Sequence, residues 1–83
     1  MNKAAKKLSA EARKLYRKED YDSASLLYDR AIEEAPNVVA LYSNRSLTHF
    51  RMGLENLALE DAEKGSILVF LELKINHFRS DRT

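Results

Sequence analysis

Residues 40–46 read ALYSNRS and residues 58–64 read ALEDAEK, and the relation between these two strings decides the fold. Taken alone, Ser43-Asn44-Arg45-Ser46 is polar and rich in turn formers, so it reads as a loop. Asn44-Arg45-Ser46 also fits the acceptor pattern for N-glycosylation of secreted proteins. The third reading places Asn44 inside a helix with its amide held out toward a ligand. The flanks select the helix. Val38, Leu41, Tyr42, Leu47, Phe50 and Met52 lead to Gly53, a natural helix terminator. Leu54, Leu57, Ala58 and Ala62 then begin a further stripe at helical spacing.

Working back toward the N-terminus, Ala5, Leu8, Ala12, Leu15 and Tyr16 recur at three- and four-residue intervals, and Ala24, Leu27, Tyr28, Ala31 and Ile32 do the same. The first helix is expected to end near Lys18, with Asp22 as the N-cap of the second. Pro36 stops that second helix at Glu34 or Ala35, and Asn37 is the expected cap of the third. Four helices joined by connections this short pack as antiparallel neighbours, which makes the fold all-α.

The totals narrow the function. Eighty-three residues make one small domain, and there is no cysteine, which excludes disulfides, thiolate zinc sites and a cysteine nucleophile. His49 and His77 are too far apart in sequence for a zinc cluster, so neither a metal nor a cofactor is expected. The net charge of +1 offers no global field for nucleic acid, although the charge is segregated. Lys3, Lys6, Lys7, Arg13, Lys14, Arg17 and Lys18 crowd the first 18 residues, and the second helix carries an acidic run that would repel phosphate. The opening MNKAAKKLSAEARK lacks the apolar core of a secretory signal. The longest apolar run, Ile67 to Leu71, is far short of a membrane span. The expected setting is therefore cytoplasmic, and the glycosylation reading of Asn44 loses its premise.

An internal repeat ties the strings together. A shift of 34 residues lays Ala24 on Ala58, Ser9 on Ser43, Ala12 on Ser46, Leu8 on Tyr42, Tyr16 on Phe50, Arg17 on Arg51 and Ala31 on Gly65. A helix-turn-helix unit of this length, with small residues at the crossing and a closing Pro36, resembles the tetratricopeptide repeat. ALYSNRS followed by ALEDAEK is similar to the second repeat of co-chaperone-type tetratricopeptide domains. The resemblance implies a lead-in at 1–4, one repeat at 5–38, a second at 39–66 and a capping helix or tail at 67–83. It departs at Phe70, which stands where the family closes a repeat with proline, so the fourth helix is expected to continue to about Asn76 or Phe78. The apolar Ile67, Leu68, Phe70 and Leu71 then either cover the open end or form a sticky surface that favours a homodimer.

No catalytic constellation emerges. His49 falls where the family places an apolar packing residue and reads as a core-edge histidine, and Glu60, Asp61 and Glu63 read as a solvated outer face. The resemblance instead implies binding, because the first helix of each tetratricopeptide repeat lines a concave groove. On that face lie Lys6, Ser9, Arg13, Tyr16 and Arg17 from the first helix, and Ser43, Asn44, Leu47, Phe50 and Arg51 from the third. Four cations over two aromatics, with an amide able to donate and accept, suit an extended acidic peptide. The plainer alternative is that these cations form a solvated helical face. Co-chaperone domains grip the C-terminal carboxylate of heat-shock chaperones, and Asn44 matches the asparagine their second repeat supplies. Ser9 and Arg13 occupy the places of a first-repeat lysine and asparagine. Lys74 lies near the register of a third-repeat lysine, while Phe78 takes the place of an arginine and Arg79 falls one residue late. The expected partner is thus a protein or peptide, with a chaperone C-terminus as the class the resemblance names. The alternative is a structural module docking or self-associating through its apolar tail.

Overall fold

The computed structural model describes residues 1–81, with side chains described as far as residue 75. Four helices follow one another: α1 (Lys3–Arg17), α2 (Tyr21–Glu34), α3 (Val39–Arg51) and α4 (Glu55–Asp81). Each packs on the next, α1 on α2, α2 on α3 and α3 on α4. Helix α1 starts ahead of its apolar stripe because Asn2 caps it, accepting the Ala5 N–H at 2.8 Å. The same side chain donates to the Glu34 carbonyl at 2.9 Å, tying the start of α1 to the end of α2.

Two expected caps are corrected. Asp20, not Asp22, caps α2 by accepting the Ser23 N–H, because the preceding turn closes earlier than the acidic run suggests. Helix α3 has no side-chain cap: Val38 sits at its N-cap position, and the chain around Asn37 is held instead by the Tyr42 hydroxyl, which donates to the Pro36 carbonyl at 2.7 Å.

The turns after α1 and α3 show the 34-residue period in backbone geometry. The Asp20 N–H reaches the Leu15 carbonyl at 2.9 Å, and the Leu54 N–H reaches the His49 carbonyl at the same distance. Glu19 N–H to Tyr16 is repeated by Gly53 N–H to Phe50. Glu19 and Gly53 both take positive φ, 63° and 78°. One turn thus places a glycine, and the other a strained glutamate, in the same left-handed position.

The core lies between α1, α2 and α3. Leu41 of α3 is fully buried against Ala12, Tyr28 and Ala31, with Leu8, Leu27, Ile32, Ala35 and Val38 around it. Small residues at 12 and 31 let the helix backbones approach, and the Tyr28 ring fills the space they leave. Between α3 and α4 the buried set changes character: Ala58 is joined by Thr48, His49 and Asp61. The outer-face reading of Asp61 is therefore wrong, whereas Glu60 and Glu63 are exposed as expected. Asp61 is only 3% exposed because Arg45 and His49, both on α3, reach across to it.

Helix α4 runs unbroken through Phe70 and further than expected, to Asp81. Residues 66–81 contain no proline or glycine to end it. Its 27 residues make a rod of about 40 Å. Ile67, Phe70 and Leu71 remain exposed and Leu68 is half-buried, so of the two readings of the apolar tail the exposed surface is the one the described residues show.

Candidate functional site

The expected groove exists in part. Arg13, Tyr16 and Arg17 of α1, Tyr28 of α2, and Asn44 and Leu47 of α3 line one cleft of about 270 Å³. The helical spacing of Arg13, Tyr16 and Arg17 puts them on one side of α1, and Asn44 and Leu47 face them from α3. Among the described residues the Asn44 side-chain amide has no protein partner, while its backbone carbonyl accepts from the Thr48 hydroxyl at 2.8 Å. An asparagine is a poor helix-interior residue, and here no side-chain hydrogen bond within the described residues accounts for it.

Tyr28 is the lining residue that sequence reasoning missed. Its spacing places it in the α2 core stripe, and it is indeed buried, but it also lines the cleft from below α1 and α3 as its floor. Burial raises its hydroxyl pKa above the ordinary tyrosine value, while the Arg13 and Arg17 cations pull it down and Tyr16 adds a smaller upward push.

The other expected groove residues fall outside this cleft. Arg51 borders it: its Nε donates to the Tyr16 hydroxyl at 3.1 Å, the leading cause of its raised pKa. The Tyr16 ring meets Tyr21 edge-on, with centroids 5.2 Å apart. Phe50 is an exposed aromatic one turn beyond Leu47, not part of the floor. Lys6 is exposed further along α1. Ser9 is buried at the helix crossing, where a small side chain allows close approach, so it cannot meet a ligand. Ser43 lines a separate groove between α3 and α4. Of the residues read as a third-repeat contribution, Lys74 lies on α4 with its ammonium 5.3 Å from the Phe70 ring centre, while Phe78 and Arg79 lie outside the described side chains.

Behind the groove, Arg45 and Asp61 fix the helices that present it. Arg45 Nη2 donates to Asp61 Oδ1 at 2.6 Å, and Nε bridges both carboxylate oxygens at 3.1 Å. Its Nη1 donates to Asp29 of α2 at 2.9 Å. Burial would lower the Arg45 pKa, but the hydrogen bonds to Asp61 and Asp29 outweigh it and the pKa is raised. His49 Nδ1 lies 2.8 Å from Asp61 Oδ2, and since a carboxylate only accepts, that nitrogen carries the proton. Nearby, the Ser46 hydroxyl donates to the Ala58 carbonyl at 2.6 Å. Asp61 is saturated by these donors, so the pair is a brace and not a base poised for proton transfer. No group of three or more metal-ligating side chains comes together among the described residues, and no described helix is long and apolar enough to cross a membrane.

No protein-family model matches the chain, and no solved structure matches it. Curated relatives do. Protein SGT1 homolog of Oryza sativa subsp. japonica is 34% identical over 61 residues, 74% of this chain and 17% of that protein. The small glutamine-rich tetratricopeptide repeat-containing protein 2 of Mycosarcoma maydis is 36% identical over 62 residues, 75% of this chain and 18% of that protein. The E3 ubiquitin-protein ligase TTC3 of Mus musculus is 40% identical over 53 residues, 64% of this chain but 3% of the ligase. The chain thus spans under a fifth of each of these relatives. With the repeated turns and the all-helical architecture, these matches make the chain a domain of tetratricopeptide type.

Proposed function

We propose that this tetratricopeptide-type domain is a non-enzymatic protein-interaction module that holds an extended acidic peptide in the cleft between α1 and α3. Arg13 and Arg17 pair the peptide's carboxylates, and the Asn44 amide bonds its main chain or terminal carboxylate. Tyr16 and Tyr28 give the peptide's apolar atoms a flat floor. The observation that carries this reading is the unengaged Asn44 amide facing two arginines across one cleft. The C-terminal segment of a heat-shock chaperone is one ligand of this chemistry. Burial of Ser9 and the arginine at 13 leave only part of the co-chaperone clamp, so binding rests on charge more than on a fixed carboxylate geometry. The lack of cysteine fits a cytoplasmic setting.

Titrating the chain with fluorescent peptides that end in acidic residues tests this. Asn44→Ala and Arg13→Glu should each weaken binding by about tenfold, equivalent to roughly 1.4 kcal/mol. Added salt should weaken the wild type more than Arg13→Glu. Unchanged affinity in both variants rejects the cleft as the binding site.

A further inference from the structure

A second surface, separate from the peptide cleft, has the shape of an unfilled helix seat. In the first helix pair, Ala12, Tyr28 and Ala31 hold Leu41 of the following helix. Counting 34 residues on gives Ser46, Ala62 and Gly65. These three line the apolar groove of about 540 Å³ between α3 and α4. Ser43 forms part of the same wall, and a Cβ built on Gly65 would make ordinary contact with the Ser43 hydroxyl and the Tyr42 Cβ at 3.8 Å and with Val39 at 3.9 Å. Where the first pair has the large Tyr28 covered by a helix, the second has the small, exposed Ala62 and nothing above it.

The rest of the groove shows what fits. Ala62, Ser66, Val69 and Leu73 form one stripe on α4, at alternating spacings of four and three. The half toward the start of α4 is lined by small residues. The other half carries Val69, Phe70 and Leu73, which are 41%, 57% and 63% exposed. Such a face complements itself when turned end for end. The geometry points to a two-fold dimer in which α4 of a second copy lies antiparallel along this groove. Leu73 of each copy then fills the space over Ala62 of the other, and Val69 meets Ser66. Both seats fill in one operation, so the contact closes and does not propagate.

Charge agrees with this pairing. No charged side chain lines the groove. On the flank away from α3, Glu63 and Lys74 share one side of α4, and antiparallel pairing in this register sets Lys74 of each copy about 3 Å along the axis from the level of Glu63 of the other, a gap their side chains can span. An acidic peptide finds no cation on the groove floor, which separates this surface from the cleft of Arg13 and Asn44. Residues 66–81 supply a helical rod of about 24 Å, enough to match the roughly 20 Å of α3 that fills the first seat.

Because the chain lacks cysteine, cross-linking reads the register directly. Ala62→Cys and Leu73→Cys in one chain stand about 16 Å apart on the same helix, too far for an internal disulfide. The double variant should oxidise to a covalent dimer, and sedimentation of the untreated wild-type chain should show a reversible dimer of the same mass. Leu73→Glu, at an exposed position, should keep the helical circular dichroism and raise the dimer dissociation constant by about tenfold or more, since it drives charge into an apolar seat. A wild-type chain that stays monomeric at every concentration overturns the proposal and leaves the seat to a helix from another protein. A dimer that fails to cross-link between positions 62 and 73 overturns it equally, because the copies then pair elsewhere. Peptide binding at the α1–α3 cleft should be the same in Leu73→Glu as in wild type, so the two sites fail or stand separately.

Discussion

The first and second helix pairs share one backbone plan and are cemented differently. Between α1 and α2 the buried residues are mainly small and apolar, Ala5, Ala12, Ala24 and Ala31, packed around one tyrosine ring. Between α3 and α4 stand instead Arg45 and His49, both hydrogen-bonded to Asp61, and Ser46, hydrogen-bonded to the Ala58 carbonyl. The difference teaches that a repeat conserves the spacing of its helices and not the chemistry that fills the space. Apolar contact is tolerant of small shifts, whereas a guanidinium on a carboxylate fixes one register.

The strongest way to break the comparison is to remove the centre of the polar brace. Asp61→Ala leaves the part-buried Arg45 guanidinium with Asp29 alone and His49 without its acceptor, and it should cost about 4 kcal/mol in urea unfolding. For a domain of this size that is most of the stability expected. In the apolar pair, Leu41→Ala should cost about 3 kcal/mol by opening a cavity over Ala12 and Tyr28. If Asp61→Ala proved milder than Leu41→Ala, the polar contacts would be ornament on an apolar interface.

The two turns sharpen the comparison at smaller scale, because they share their hydrogen bonds and differ in one residue. Gly53→Ala should destabilise by about 1 kcal/mol, since alanine resists positive φ, and Glu19→Gly should stabilise by nearly as much. Thermal melts of the two variants should move in opposite directions. The smallest effect is alkaline. Burial raises the folded-state pKa of Tyr28 above its unfolded value near 10. Its contribution is therefore fully present below that value and is lost as pH rises through the folded pKa. Tyr28→Phe should flatten the fall in stability above about pH 10 in a pH series of urea curves.

Much of the architecture was legible because helical period, Pro36, Gly53 and the 34-residue shift all report local backbone preference. The groove was half legible. Arg13, Tyr16, Arg17, Asn44 and Leu47 share a helical face and do meet, but spacing on one helix cannot say how deep a residue sits once a second helix is laid across it. Hence Ser9, on the groove face by its spacing, is buried, and Tyr28, in the core stripe by its spacing, also lines the cleft. Asp61 was illegible for a related reason. In a run of acidic residues only one points inward, and it does so because Arg45, 16 positions earlier, is there to meet it. The course of α4 past Phe70 was signalled by the missing proline, whereas its exposure depends on what lies beside it, and no local pattern encodes that.

The three-way hold of Arg45 has a mechanical consequence. One side chain on α3 grips α2 through Asp29 and α4 through Asp61, so all three helices share a single rivet. A partner pulling on the projecting end of α4 loads that rivet in shear. Sliding α4 by even one residue would break every bond to Asp61 together, so the domain should yield abruptly and not creep. The apolar contacts of α1 and α2 carry no such directional lock and would give way gradually under the same load. A force applied at the far end of α4 therefore reaches α2, on the floor side of the α1–α3 cleft, through stiff polar links.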